Sequence, residues 1–271
     1  MAPARPHPLL LRIASALVMA PVALAAVWFG RPWLALLALL AMAAMAWEWA
    51  RLCGRGAVGA PGFAILGSGL AAVAALVAGL SVPVALAVAA VGAAGVLVVA
   101  AKSGGEPLWA AVGILWIAAG TIAFLWLAEP PTGDRRSAFW LFAVVWTTDI
   151  AAYAAGRAIG GPKLAPRLSP NKTWAGFIGG VSCAGLAGGL VARLTGGEPL
   201  IVAAVSLLTA VSAQLGDLAE SLAKRHFGVK DSSGLIPGHG GLLDRVDGLL
   251  AAAMTAGVVT VVTGGAALAW R

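Results

Sequence analysis

Apolar residues run along this chain in nine blocks of about one bilayer thickness, at roughly 13–29, 32–50, 63–80, 83–101, 108–127, 138–156, 174–194, 199–216 and 248–269. A helix that crosses a membrane needs about 20 predominantly apolar residues. The pattern predicts an all-α fold, a polytopic integral membrane helical bundle of about nine transmembrane helices. Pro21 and the many internal glycines are compatible with this, because neighbouring groups in a membrane bundle re-satisfy the backbone they free. In the first block, Arg5 and Arg12 precede an apolar stretch containing Ala23-Leu24-Ala25, which can pass for a signal-peptide cleavage site. The apolar run continues through Phe29, so an uncleaved first span is expected.

Composition agrees with the pattern: 61% of the residues are hydrophobic and 11% charged, against about 45–50% apolar in soluble domains. The formal charge is +7, and its distribution says more than its sum. With the N-terminus inside and nine alternating spans, thirteen of the eighteen Lys and Arg fall in inner segments and five, Arg31, Arg135, Arg136, Arg193 and Arg271, on the other side. That is a positive-inside bias. It predicts a multi-pass protein of the cell inner membrane with its N-terminus and polar clusters cytoplasmic and its C-terminus on the opposite side. Basic edges of this kind attract anionic lipid. Nucleic acid is not an expected partner, because no soluble basic domain exists to hold it. Cys53 and Cys183 are too distant for a metal motif or a disulfide framework and read as small membrane-buried residues. Residues 1–271 read as a single membrane domain, with scaffold helices in 1–137 and the chemistry in 138–271; a homodimer is compatible with the pattern.

The chemistry concentrates between the last two blocks. Residues 214–247 hold five of the eleven carboxylates and two of the three histidines. If the eighth span continues as a helix through Arg225, then Gln214, Asp217, Glu220, Ser221 and Lys224 lie on one face. An acid at membrane depth costs about 2.5 kcal/mol or more and implies a polar cavity, a partner or a metal. Asp244 and Asp247 share a face at the start of the ninth span, after the Gly-rich turn Pro237-Gly238-His239-Gly240-Gly241. Glycines let backbone N–H groups approach an anion, and a helix N-terminus favours negative charge. Such carboxylates can hold Mg²⁺ through one or two direct ligands, with water and phosphate oxygens completing the shell. Arg245 serves equally well as a structural partner of Asp244 or Asp247, and His239 as a phosphate contact or a cap of the turn.

A second polar segment runs from Lys163 through Arg167, Ser169, Pro170 and Lys172 to Trp174. Ser169 followed by Pro170 is a natural N-cap and first helical residue, which predicts a helix starting there with Lys172 in its first turn. Anion binding and a plain positive-inside loop with snorkelling lysines remain open for it. Asp149 and Tyr153 share a face of the sixth span; a structural pair of Asp149 with Arg157, four residues further, and a part in the site both remain open. Glu48, between Trp47 and Trp49, reads as an interfacial carboxylate in an aromatic belt. The stretch from Glu129 to Arg136 reads as an ordinary external turn.

Together these motifs resemble the bacterial phosphatidate cytidylyltransferases, or CDP-diacylglycerol synthases, over about residues 146–250. The resemblance rests on Ser221-x₂-Lys224-Arg225-x₄-Lys230-Asp231-x-Ser233-x₂-Ile236-Pro237-x-His239-Gly240-Gly241-Leu242-x-Asp244-Arg245-Val246-Asp247, and on Lys163 to Trp174. The opening Arg12-Ile13-Ala14-Ser15-Ala16-Leu17 and Trp47-Glu48-Trp49 fit more loosely. Ala223 replaces a larger apolar residue, Ala175 stands where Glu or Gln is common, and Ile150 removes a hydroxyl next to Asp149.

The resemblance implies a nucleotidyltransferase of phospholipid biosynthesis that condenses CTP with phosphatidate of the bilayer to CDP-diacylglycerol and pyrophosphate, using Mg²⁺, with Mn²⁺ as a substitute and room for a second cation. It implies a catalytic set of Asp217, Lys224, Asp231, Asp244, Arg245 and Asp247. Substrate would be bound by Lys163, Ser169, Lys172, Ser221, Arg225, Lys230, His239, Gly240 and Gly241, with metal at Asp217, Glu220, Asp244 and Asp247. Two other classes share part of the pattern: a CTP-dependent lipid-alcohol kinase of the polyprenol type, and a cation-coupled transporter with Asp217 and Asp244 as its ion site. The first reading expects Asp217→Asn and Asp244→Asn alike to be folded and inactive.

Overall fold

A computed structural model describes residues 8–129 and 134–265. Arg5, Arg271, the end of the ninth apolar block and the middle of the turn after Glu129 lie outside the described residues. The elements are α1 (Pro8–Phe29), α2 (Trp33–Cys53), α3 (Ala60–Val77), α4 (Val82–Lys102), α5 (Pro107–Ala128), α6 (Arg135–Ala158), β1 (Lys163–Ala165), β2 (Ser169–Thr173), α7 (Trp174–Thr195), α8 (Pro199–His226) and α9 (Leu243–Thr263). Among the described residues, α2 to α9 are eight helices long and apolar enough to cross a bilayer, and the apolar part of α1 is Ala14–Phe29. The molecule is a polytopic helical membrane protein, as the hydrophobic pattern predicts.

Helix boundaries follow local chemistry. Prolines open the first turns of α3, α4, α5 and α8, where the missing N–H has no helical acceptor to lose. Gly196 and Gly264 end α7 and α9 in the left-handed conformation. The 28 residues of α8 make it roughly 42 Å long at about 1.5 Å per residue. That exceeds the hydrocarbon core by about 12 Å, so the last turns of α8, with Glu220, Lys224, Arg225 and His226, stand at or beyond the membrane edge.

Two buried clusters form the interior. One joins α1–α5 around Met42, Met45, Ile65, Ile114 and Ile117 and includes Leu243 and Leu250 of α9. The other joins α6–α9 with the end of α5 around Trp140, Leu141 and Val144. Helices α5 and α9 therefore bind the two halves together. Small residues let the backbones close up, as membrane helices require: Gly180 of α7 faces the Thr148 carbonyl of α6, and Gly216 of α8 faces the Asp247 carbonyl of α9. Interhelical hydrogen bonds reinforce this packing, from Trp140 Nε1 to Ser206 Oγ (2.9 Å) and from Gln214 Nε2 to the Phe177 carbonyl (3.2 Å).

Contacts among the connections define two ends. At one, Arg55 and His226 meet Glu106, Arg225 reaches the Leu168 carbonyl, and Ser15 meets His239. At the other, Arg31 pairs with Glu129 and donates to the Val77 carbonyl, while Arg135 donates to the Trp28 carbonyl. The first end carries the two polar segments with the candidate chemistry, 163–174 and 214–247.

Candidate active site at the polar end of the bundle

The site starts from Gly216. A Cβ there would lie 2.6 Å from the Ala251 Cβ and 2.9 Å from the Asp247 carbonyl oxygen, so only glycine lets α8 and α9 touch at this level. The contact brings the acidic face of α8 against the first turns of α9. Lys224 Nζ then bridges Glu220 on its own helix and Asp244 Oδ1 on α9, the latter at 2.6 Å. Both acids are nearly out of solvent, with side chains 1% and 4% exposed. The other Asp244 oxygen accepts three hydrogen bonds, from the Ser232 N–H and hydroxyl (2.9 Å each) and the Gly241 N–H (2.8 Å). Asp244 thereby folds the loop before α9 back onto the helix start, in the manner of a capping carboxylate.

Gly240 and Gly241 are required by this loop for different reasons. Gly240 adopts φ +87°, in the left-handed region. A Cβ on Gly241 would collide with Ser232 Oγ and sit 2.7 Å from Glu48 Oε1.

Beside this buried knot lies a more open pair. Lys172 Nζ from β2 meets Asp217 Oδ2 at 2.7 Å, with the two side chains 23% and 40% exposed. Ser221 Oγ donates to Asp217 Oδ1 at 3.4 Å. The antiparallel β1–β2 hairpin is held in place by Thr173, whose hydroxyl accepts the Gly176 N–H of α7 at 3.1 Å, and by Arg225, which donates to the Leu168 carbonyl at 3.3 Å. Asp149 of α6 interacts electrostatically with Asp217, Lys172 and Arg245.

The donor set suits a hard cation, since it is all oxygen. Glu220 Oε1 is buried and has no hydrogen-bond partner among the described residues, and Asp247 is buried close to it. No three of the described His, Cys, Asp and Glu converge into a complete cage. A Mg²⁺ ion that takes one or two carboxylates and draws its other ligands from water and substrate phosphates fits such a place.

The profile of the cytidylyltransferase family matches residues 10–263. This chain belongs to that family. It is 53% identical over 151 residues, 54% of each chain, to a protein named phosphatidate cytidylyltransferase from Brucella suis biovar 1. A protein of the same name from Staphylococcus saprophyticus is 42% identical over 144 residues, 52% of this chain and 55% of that one. The chain spans about half the length of the curated relatives it matches.

Within this cytidylyltransferase fold, Asp217, Glu220, Ser221, Lys224, Asp244, Asp247, Gly240, Gly241 and Lys172 gather at one place. Lys163, Lys230, Asp231 and Arg245 are exposed and make no ion pair among the described residues. Arg245 is not the structural partner of Asp244; Lys224 is. His239 Nδ1 is hydrogen-bonded to Ser15 Oγ at 2.6 Å, which ties α1 to the Gly-rich turn.

Two further expectations are corrected and one open pairing is decided. Ser169 does not cap α7: it lies in β2 opposite Ala165, and Thr173 is the N-cap. Lys172 is therefore on a strand, reaching Asp217, and not in a helical first turn. Arg157 donates to the Tyr153 hydroxyl at 3.2 Å and does not pair with Asp149. Glu48 is not an interfacial belt residue. It is fully buried and accepts from Ser233 Oγ (2.6 Å), Leu242 N (2.8 Å) and Leu243 N (2.7 Å). Ser232 was missed altogether. Its only sequence signal is its place between Asp231 and Ser233 in the polar motif.

Proposed function

We propose that this chain joins CTP to phosphatidate, giving CDP-diacylglycerol and pyrophosphate. The observation that carries the reading is the meeting, at one end of a membrane bundle, of the acid-and-lysine face of α8, the first turns of α9 and the Lys172 hairpin. Family membership and the printed names of the relatives support it.

The phosphatidate phosphate is already anionic, so its attack on the α-phosphorus of CTP needs no strong general base. The difficulty is electrostatic: two anions must approach and pyrophosphate must leave, which calls for positioning and fixed opposite charge. Lys172, partly exposed in its pair with Asp217, is placed to bind a phosphate that comes to the site. Arg225, which reaches the hairpin, and Arg245, which faces Asp149, are exposed and supply further positive charge, as does the exposed Lys230 of the connecting loop. Lys224, by contrast, is held between two acids and sets the floor of the site. Bound Mg²⁺, held by Asp217 and Glu220 with Asp247 and Asp244 adjacent, would neutralise charge on the attacking and leaving phosphate oxygens. The lipid tails can stay in the bilayer while the headgroup reaches the polar end.

Phosphorus NMR of the products tests the reading. Purified protein with CTP, Mg²⁺ and phosphatidate should yield pyrophosphate and CDP-diacylglycerol in equal amounts. Release of CDP with a lipid alcohol as acceptor would assign a CTP-dependent kinase instead. Excess chelator should stop turnover without unfolding the bundle, since buried apolar helices, not a metal, hold it together. Full turnover by metal-free protein would remove the cation from the account.

The reading places the site in the cytoplasm, where CTP is, and the protein in the inner membrane. The thirteen-to-five asymmetry of basic residues supports this orientation. Reporter fusions after Lys102, Lys172 and Lys230 should all read cytoplasmic. A periplasmic signal after Lys230 would put the site on the wrong side.

A further inference from the structure

At the start of α9 the N-cap residue Leu242 has no side-chain oxygen, and Asp244 accepts the N–H of Gly241, before the helix, but not those of Leu242 and Leu243. The first N–H groups of a helix have no helical acceptor and need one from elsewhere. Here it comes from Glu48 on α2, 194 and 195 positions away along the chain. One carboxylate oxygen accepts the Leu242 N–H and the Ser233 hydroxyl, and the other accepts the Leu243 N–H.

Glu48 is itself fixed. Its neighbour Trp49 packs its indole over Gly113 of α5, in the space a Cβ would take, and donates its ring N–H to the Trp109 carbonyl at 3.1 Å. The clasp is thus a rigid link from the scaffold helices to the residue just before Asp244. The loop it holds is the one that donates three hydrogen bonds to Asp244.

We propose that Glu48 is a positioning residue for the reaction: it touches no substrate, but sets where α9 begins and hence where Asp244 and Asp247 stand. This rests on the proposed nucleotidyl transfer. Displacement of a site group by about 1 Å can cost on the order of a hundredfold in rate, so the effect should fall on turnover. Lys172 on the hairpin and Arg225 at the end of α8 do not depend on the clasp, so substrate binding should change less than turnover.

The test compares wild type, Glu48→Gln and Ser233→Ala in detergent, by kcat and KM per folded molecule and by amide hydrogen exchange of the 240–247 segment. Glutamine keeps the size but aims an NH₂ group at a donor. Ser233→Ala removes one of the three bonds and serves if Glu48→Gln folds poorly. The expected result for Glu48→Gln is a fall in kcat of about thirtyfold, with both KM values within about threefold, and exchange at Leu242 and Leu243 at least about tenfold faster. Ser233→Ala should lie between it and wild type on both readouts. Normal kcat per folded molecule in both variants, or unchanged exchange at Leu242 and Leu243, would overturn the proposal. A wild type that makes no CDP-diacylglycerol would overturn the reaction, and the exchange data would still decide whether Glu48 holds α9.

Discussion

Lys224→Met should be the most damaging single substitution at the polar end, lowering stability and abolishing turnover together. The ammonium is the shared partner of Glu220 and Asp244, whose side chains are 1% and 4% exposed. Removing one member of a buried ion pair typically costs about 3–5 kcal/mol, because the remaining charge is left without compensation. Here two carboxylates would be stranded. We expect a markedly lower folded yield and unfolding temperature in detergent, and no detectable product. Lys224→Arg keeps the charge but not the compact ammonium geometry, and should recover stability more than activity. Thermal unfolding of the three proteins checks this. A Lys224→Met protein as stable as wild type would mean that the knot between α8 and α9 does not hold the site.

The second large effect is on activity alone. Asp217→Asn should lower turnover by at least about a hundredfold, comparable to losing a major transition-state stabiliser. Its stability should stay close to wild type, because the pair with Lys172 is partly exposed and such pairs contribute about 0–1 kcal/mol. The structure separates it from Asp244→Asn, with which the sequence alone equates it. Asp244 accepts hydrogen bonds from Lys224, Ser232 and Gly241, and an amide there would aim an NH₂ at one or more of these donors. Asp244→Asn should therefore lose stability as well as activity. Folded yield and turnover measured on both variants distinguish the two roles.

What the sequence could and could not say follows from the range of the interactions. Apolar runs of bilayer length are local, so the helices were legible, as was the continuation of α8 through Arg225. The Glu220–Lys224 pair follows from i, i+4 spacing on that helix. The start of α7 was misplaced because Ser169 and Thr173 are both competent caps, and only the pairing of β2 with the three-residue β1 decides between them. Glu48 was misread for a related reason. Its flanking tryptophans suggest an interface, while its partners lie on a loop and helix nearly two hundred residues away. An acid inside an apolar run signals an unmet need for donors, but nothing local says who supplies them.

The most direct test of the central claim follows one atom. Purified wild type and Asp217→Asn are incubated with phosphatidate, Mg²⁺ and CTP labelled at the α-phosphorus, and the lipid phase is extracted and counted. Label should enter the lipid as CDP-diacylglycerol with wild type and fall by at least about a hundredfold with folded Asp217→Asn. Label that stays in water-soluble nucleotide with wild type, or lipid labelling by folded Asp217→Asn at the wild-type rate, would contradict the account.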